Sequence, residues 1–250
     1  MLNPEEIIQD APPALRRAQF AGYIIYFTAM ATLGWLILRG YAEFGRWWTV
    51  LLALIAGYLA ADLASGMVHF LADNFGSPDT PFIGPSFVLP FRQHHVDPMG
   101  LTRHNFWDAN ASNALVCLPV LIPVVVFTPI TSSSLGYIAG VFSFVMLTAV
   151  FLTNQTHKWA HMDKVPPVVR WMQNAGLILS KSHHDVHHKS PFNTHYCITV
   201  GAWNRMFEKL HAFDWLERII RRWVPGVDPR LRTEQDMVES EMTVNHRTAH

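Results

Sequence analysis

Histidine is the residue type whose spacing in this chain suggests chemistry. Of the 14 histidines, 11 lie between residues 69 and 195, and the densest group is His183, His184, His187 and His188. Residues three and four apart are neighbours on a helix, so all four imidazoles are predicted to face one object. Ser182 with Asp185 signals a helix start, and Pro191 ends the helix after about two turns. Because so short a helix is marginal in water, a bound metal ion would supply the missing stability.

Other histidines are spaced in ways that fit the same chemistry. His157 and His161 are four residues apart at the end of an apolar run, a common spacing for two imidazoles that bind one metal ion. His94 and His95 are adjacent in a stretch bounded by prolines, which predicts a turn whose two rings point in different directions. His104 follows in a loop, where a solvated histidine is nearly as common as a ligand. It is therefore a possible further ligand.

A polar stripe runs along one otherwise apolar segment. Its members, at helical spacing, are Asp62, Ser65, Gly66, His69 and Asp73. An aspartate within a membrane helix costs about 2.5–3.5 kcal/mol, so it needs a partner. We expect His69 to bind metal, and Asp62 and Asp73 to orient ligand histidines from behind. The simpler alternative is a hydrogen bond between helices.

Nine histidines are thus candidate metal ligands: His69, His94, His95, His157, His161, His183, His184, His187 and His188. A tetrahedral zinc ion takes four ligands in structural sites and three in catalytic ones, so this set favours two metal ions. Imidazole suits zinc, copper, iron and nickel, and the ligand type alone does not choose among them. A nitrogen-rich site for two metals beside a membrane is suited to activating dioxygen against a lipid chain.

The elements that must carry these residues are membrane-spanning helices. The apolar spans long enough to cross a bilayer are Phe20 to Leu38, Trp48 to Leu71, Ala114 to Ile130 and Leu135 to Thr153. Prolines interrupt the third span but are tolerated in membrane helices. Short linkers join the first span to the second and the third to the fourth. The sequence therefore predicts an all-α integral membrane protein with about four transmembrane helices.

The charges predict which end of the helices faces the cytoplasm. Lys and Arg total 19, as do Asp and Glu, so no net charge points to a nucleic-acid partner. Only Arg39 and Arg46 lie on the side opposite the histidines, and the positive-inside rule makes the histidine side cytoplasmic, in a bacterial inner membrane or the endoplasmic reticulum. We expect residues 1–19 to be a cytoplasmic segment, 20–225 a membrane-embedded domain with a histidine-rich cytoplasmic cap, and 226–250 a disordered tail.

Two further segments have amphipathic character. Val165 to Ser180 predicts a partly apolar surface helix. Trp203 to Trp223 places apolar residues at helical spacing with Arg and Lys between them, which predicts a helix lying in the membrane interface. A helix packed on the cytoplasmic cap would show the same pattern. Cys117 and Cys197 are too few for a disulfide framework and indicate buried thiols.

The order and spacing of these motifs resemble the Kua-type lipid desaturase family. The similarity covers about Leu51 to Lys209. The residues that carry it are Asp62, Ser65-Gly66, His69, Asp73, Pro90-Phe91-Arg92, His94-His95, Asp97-Pro98, Thr102-Arg103-His104, Thr153-Asn154-Gln155, His157-Lys158-Trp159, His161, His183-His184, His187-His188, Ser190-Pro191 and Cys197-Ile198-Thr199. His195 stands where an aromatic residue is expected and is left out of the ligand set.

The resemblance implies a membrane enzyme with two iron ions held by the histidines and O2 as co-substrate. The reaction would remove two hydrogens from the alkyl chain of an ether phospholipid, next to the ether oxygen, giving the vinyl ether of a plasmalogen. Dioxygen needs four electrons to form two waters, and the new double bond supplies two of them. The chain has no dinucleotide, haem-attachment or iron–sulfur motif. We therefore expect a separate electron donor, a cytochrome b-type haem protein or a ferredoxin with its reductase, docking near Lys158, Lys181 and Lys189.

Other functions fit parts of the same pattern. One is a desaturase or hydroxylase of a phospholipid acyl chain, since a plant branch of the family acts on phosphatidylglycerol. The other is a non-catalytic membrane protein, either a metal transporter or a haem-binding electron carrier. A transporter would place polar ligands near the bilayer centre on several spans, whereas the first and third spans carry no Asp, Glu, Lys, Arg or His. We expect the lipid tail to enter between the second and fourth spans.

Overall fold

The computed structural model describes residues 13–77, 80–81 and 83–224, and its secondary structure is mainly α-helix. In chain order they are α1 (Pro13–Phe44), α2 (Trp47–Asn74), a π-helical turn (Gly84–Val88), α3 (Leu89–Val96), α4 (Gly100–Arg103), α5 (Phe106–Phe127), α6 (Ser134–His161), α7 (Pro167–Asn174), α8 (Lys181–His184), α9 (Asn204–Lys209) and α10 (Ala212–Ile220). Four of them, α1, α2, α5 and α6, are long and apolar enough to cross a membrane. The predicted fold class is confirmed. The expected tail at 226–250 lies outside the described residues, as do residues 1–12 of the expected cytoplasmic segment, whose residues 13–19 begin α1.

Polar residues cap the starts of two of the long helices, α5 and α6. The Asn105 side chain accepts hydrogen bonds from the backbone N–H groups of Trp107 (2.9 Å) and Asp108 (3.0 Å), so α5 begins eight residues before the predicted third span. The Ser133 hydroxyl accepts from the Gly136 N–H at 3.0 Å and starts α6. The capped turns place polar side chains at the membrane boundary.

Helices α2 and α6 pack closely along the membrane-spanning part of the protein. A Cβ atom at Gly57 would lie 2.5 Å from the backbone carbonyl oxygen of Phe142, so only glycine allows this approach. Beside this contact, α1, α5 and α6 share a buried apolar core that includes Tyr26, Leu33, Leu121 and Leu147. The Tyr26 hydroxyl in this core donates to the carbonyl of Leu147 at 3.2 Å. The close pairing brings the carboxyl ends of α2 and α6 together.

The segment Trp203 to Trp223 is not the single helix that its periodicity predicts. It forms α9 and α10, which are separated at His211, whose backbone is left-handed with φ +48°. The break lets Phe207 and Phe213 meet edge to face, with ring centroids 5.4 Å apart. Phe213 also contacts Phe70 and Tyr196 in a second buried cluster. Part of the apolar face thus packs on the cap, while Leu210, Trp215 and Trp223 stay exposed, so a position in the membrane interface remains a prediction.

Three shorter stretches also differ from the sequence predictions. The expected turn before Pro98 is the helix α3, because Pro90 lies in its first turn, where the missing N–H costs nothing. The surface helix predicted over Val165 to Ser180 is shorter, since Gly176 at φ +67° follows α7. The two-turn helix predicted from Ser182 is the single turn α8, followed by irregular turns through His188.

The close contact of α2 with α6 can be tested by adding one methyl group. We expect Gly57→Ala to lower the free energy of unfolding by about 1–3 kcal/mol, because the backbone at Phe142 must move. Thermal unfolding of the detergent-purified protein would show a midpoint about 2–4 °C lower per kcal/mol. Gly34→Ala is the matched control, since its Cβ would meet the Phe144 ring at an ordinary 3.4 Å. Equal midpoints for the two variants would contradict the close packing.

Candidate metal centre

Five histidines from separate parts of the chain come together at the carboxyl end of α6. They are His94, His157, His161, His184 and His188, each with a ring nitrogen within 4.8 Å of those of the others, and we call them the first group. The Nε2 atom of His157 lies 2.8 Å from that of His184 and 3.2 Å from that of His161. Two nitrogens that bind one ion at right angles, each about 2.1 Å away, are about 3 Å apart. The spacing therefore suits ligands of a single metal ion.

A second group lies at the carboxyl end of α2. It consists of His69, Asp73, His95 and His187, all buried and again with one ligand atom each within 4.8 Å of the others. The Asp73 Oδ2 atom is 3.1 Å from the Nε2 of His95 and 3.3 Å from that of His69. It is also 3.6 Å from the Nε2 of His187. One carboxylate therefore sits among three imidazoles, which adds the negative charge that a second cation favours.

The two groups are neighbours and share their supporting elements. Helix α3 contributes His94 to the first group and His95 to the second, so the two rings point in different directions, as their adjacency predicts. The ring centroids of His95 and His188 are 5.2 Å apart, and those of His69 and His157 are 5.9 Å apart. Two metal ions bound here would lie side by side.

The state of the imidazoles supports metal binding. Both ring nitrogens of His94 are buried, and neither has a hydrogen-bond partner. Burial lowers the pKa of His94, His184 and His187 well below its usual value, and neighbouring imidazoles lower it further. Burial also lowers the pKa of His188 to about 2. Neutral imidazole is the form that binds metal, and an orphaned buried nitrogen is costly without a ligand. The residues fit two metal ions.

Backbone carbonyls behind the centre orient two of these rings. The Nδ1–H of His187 donates to the carbonyl of Thr194 at 2.7 Å, and that of His69 donates to the carbonyl of Tyr196 at 3.1 Å. Each bond selects the tautomer whose Nε2 lone pair points into the second group. The sequence does not reveal these partners, because every residue carries a backbone carbonyl.

The polar stripe of α2 holds the segment that provides those carbonyls. The Asp62 carboxylate accepts hydrogen bonds at 2.8–3.2 Å from the backbone N–H groups of residues 199–201. The Ser65 hydroxyl accepts from the N–H of Ile198 at 3.0 Å. At Gly66 the segment lies so close that a Cβ atom would be 2.4 Å from the Cys197 sulfur. Asp62 thus supports the centre through this segment, whereas Asp73, expected in the same supporting role, reaches the ligand atoms themselves.

The structure places two other predicted residues outside both groups. His183 turns away from its neighbour His184, and its Nε2 lies 3.1 Å from the side-chain amide of Asn204. The ring of His183 also lies 5.1 Å from that of His195. His104 lines a cavity beside the first group, and its carbonyl accepts a hydrogen bond from Lys158.

A cavity of about 1280 Å³ reaches the first group at His94 and His157. Its wall includes one face of α1, the region around α3 and α4, and the start of α5. Aromatic and aliphatic side chains such as Phe20, Ile24 and Trp107 line much of it. The expected lipid entry between the second and fourth spans is not where this cavity lies. The reason is the close contact of α2 with α6.

Adjacent histidines offer a sharp test of the first group. We expect His184→Ala to lower the metal content of the purified protein by about one ion per chain, because the variant removes an imidazole that faces the group. His183→Ala, one position earlier, should keep the wild-type metal content, since that ring faces Asn204. Elemental mass spectrometry on both proteins gives the result. Loss of metal in the His183 variant alone would refute this assignment.

Comparison with known proteins agrees with the geometry. The family model described as lipid desaturase domain matches residues 58–232 of this chain. The chain is 38% identical over 228 residues to plasmanylethanolamine desaturase of Myxococcus xanthus, covering 91% of this chain and 79% of that protein. It is 39% identical over 185 residues to plasmanylethanolamine desaturase 1 of Mus musculus, covering 72% and 68%. It is also 37% identical over 188 residues to chloroplastic fatty acid desaturase 4 of Arabidopsis thaliana, covering 73% and 55%.

No solved structure matches the chain. The family model alone covers well over half of the sequence. The Myxococcus xanthus and Mus musculus relatives are similar to this chain over 79% and 68% of their own length. The chain therefore belongs to the lipid desaturase family.

Proposed function

We propose that this protein desaturates the alkyl chain of an ether phospholipid, plasmanylethanolamine, next to the ether oxygen. The product is the vinyl ether of a plasmalogen, and O2 is the co-substrate. The observation that carries the proposal is the cavity, which joins a buried histidine group to a lipid-sized apolar space in a member of the lipid desaturase family. The names of the Myxococcus xanthus and Mus musculus relatives support the choice of substrate.

Two iron ions would occupy the two groups. The first group would hold one iron through five imidazoles, and the second would hold the other through three imidazoles and the Asp73 carboxylate. When bound, the irons would activate O2, the oxidant that accepts the two hydrogens removed from the lipid chain. The protein's own contribution is to keep the imidazoles neutral, oriented and shielded from water.

The cavity has the dimensions of a lipid chain. It follows α1 from Leu15 to Thr28, a rise of about 20 Å at 1.5 Å per residue. An extended chain of sixteen carbons is roughly 19 Å long, by the same bond lengths that set the reach of a polypeptide. The chain would lie against Phe20 and Phe27 and present one end to His94.

The electron balance supports a separate donor protein, such as a cytochrome b-type haem protein or a ferredoxin with its reductase. Of the three lysines expected to attract it, Lys158 points inward to the carbonyl of His104. Lys181 lies 3.8 Å from Asp163 and 3.5 Å from Asp185, so its charge is largely balanced. Lys189 is exposed. The positive-inside rule supports placing this face in the cytoplasm of a bacterial inner membrane or of the endoplasmic reticulum.

A second candidate is desaturation of a phospholipid acyl chain, which the similarity to chloroplastic fatty acid desaturase 4 favours. The same centre and the same cavity would serve that reaction, with the double bond formed farther along the chain, because the first carbon of an acyl chain is a carbonyl carbon and carries no hydrogen. A metal transporter is not favoured, since both histidine groups lie at the ends of α2 and α6.

The product of the reaction decides between these functions. We expect acid-labile vinyl ether lipids to appear when the protein is made in cells that contain alkyl ether phospholipids but no plasmalogens. Mass spectrometry of the lipids, before and after acid treatment, is the measurement. His157→Ala is the control, because it removes a ligand at the cavity wall and should abolish the product.

Each other outcome has a clear meaning. A new double bond in an acyl chain would instead support the second candidate, desaturation of a phospholipid acyl chain. If no new lipid forms although a suitable electron donor is present, the iron content of the purified protein is measured next. An iron-free protein would refute the proposed function.

A further inference from the structure

A phospholipid that reacts at the first carbon of its alkyl chain keeps its phosphate close to the metal centre. About six bonds separate that carbon from phosphorus, which is roughly 7 Å when they are extended. The head group must therefore bind in the same cavity as the chain, near His94 and His157. This step rests on the proposed function and concerns which head group the cavity accepts.

The charged residues at the cavity wall limit which head groups can bind there. In the described part of the chain, the arginines that line the cavity are Arg16 and Arg103, and the acids are Asp97 and Asp108. Asp108 accepts a hydrogen bond from the Asn105 amide at the start of α5. Asp97 and Arg103 instead form an ion pair with each other, so they present both signs of charge side by side.

This ion pair is tied to the helix that carries the metal ligands. Asp97 directly follows α3 and lies three residues after His94, so their Cα atoms are at most about 11 Å apart. The N–H of Gly100 donates to the Asp97 carbonyl at 2.9 Å, and this turn brings Arg103 back to the carboxylate. The pair thus lies within reach of a phosphate whose alkyl chain ends at His94.

The pair is also accessible from the cavity. The side chains of Arg103 and Asp97 are 38% and 23% exposed, and Gly100 lines the cavity beside them. A Cβ atom at Gly100 would lie 3.2 Å from Asp97 Oδ2 and 3.4 Å from Arg103 Nη2. The missing side chain at Gly100 therefore leaves the charged atoms uncovered.

We propose that the Asp97–Arg103 pair binds the phosphoethanolamine head group. The Arg103 guanidinium donates to the phosphate oxygens, and the Asp97 carboxylate accepts from the ammonium group. A zwitterion bound to an ion pair leaves every charge with a partner, which keeps the desolvation cost low. A phosphoglycerol head group has no cation, so it would leave Asp97 facing a phosphate. The pair therefore selects ethanolamine by repelling the phosphoglycerol head group, whose negative charge has no cation beside it.

Head-group selectivity of the iron-loaded enzyme tests the proposal. Alkyl ether lipids with phosphoethanolamine and with phosphoglycerol are supplied separately, and kcat/KM is measured for each. We expect the wild type to favour ethanolamine by about tenfold, which is about 1.4 kcal/mol. Asp97→Asn should bring this ratio close to one, since an uncharged amide forms no ion pair with the ammonium and does not repel the phosphate. Arg103→Gln should lower kcat/KM for both lipids.

A second ion pair provides the control. Glu217 and Arg221 of the α10 region form a pair whose side chains are 12% and 25% exposed, away from the residues that line the cavity. Glu217→Gln should therefore leave the ratio of the two lipids unchanged. If Asp97→Asn keeps its iron and its ratio stays within about twofold of the wild type, the pair only holds the turn and the proposal is wrong.

Two further outcomes also decide the matter. If the Asp97 variant does not accumulate, the wild type alone is sufficient, because equal kcat/KM for the two lipids contradicts the proposal. If the wild type makes no vinyl ether from either lipid, the proposed function fails instead. Retention of the two lipids by the purified protein, measured by native mass spectrometry, then tests the head-group site by itself. Equal retention would overturn it.

Discussion

The hydrogen bonds between the α2 stripe and residues 198–201 are the constraint on which the metal centre depends. A carboxylate inside an apolar helix is costly, and so is a buried irregular segment whose N–H groups have no partner. Each resolves the other here, because Asp62 accepts from three consecutive N–H groups and Ser65 from a fourth. Once this segment is fixed, the carbonyls of Thr194 and Tyr196 have defined positions, and so do the rings of His187 and His69. Removing Asp62 would therefore disturb ligands that it never touches.

Much of the centre follows from helical spacing, and the remainder follows from where helices stop. His157 and His161 face one point because α6 continues through both, which their four-residue spacing predicts. His183 is predicted to share one helix face with His184, His187 and His188, but α8 ends at His184 and the chain then turns, so the later histidines join His184 and leave His183 outside both groups. Asp62 and Asp73 lie on the same stripe, yet only the folded position of the 196–201 segment determines which of them reaches the metal ligands. Such long-range packing leaves no periodic pattern in the sequence.

The sequence predicts the membrane-spanning part only to the same extent: it gives the helices but not their packing. Hydropathy locates the four spans well, since any apolar run of sufficient length must be helical in a bilayer. It does not say which spans touch most closely. That choice depends on Gly57, where the absence of a side chain lets α2 approach the backbone of α6. The lipid-sized cavity consequently lies beside α1 and α5. The break at His211 also accompanies a long-range contact, because it lets Phe207 and Phe213 meet within one aromatic cluster.

The position of the centre at the ends of helices also has an electrostatic consequence. Its candidate ligands are eight imidazoles and one carboxylate, so two divalent cations would keep a net positive charge in a buried site. The carboxyl ends of α2, α3 and α6 all meet there, at Asn74, Val96 and His161. A helix carries partial negative charge at its carboxyl end, and each such end stabilises a nearby cation by about 0.3–1 kcal/mol, more where it is partly buried. Three converging ends therefore offset part of the charge that the ligands leave unbalanced. The helix ends thus add to the negative charge that Asp73 brings to the candidate site.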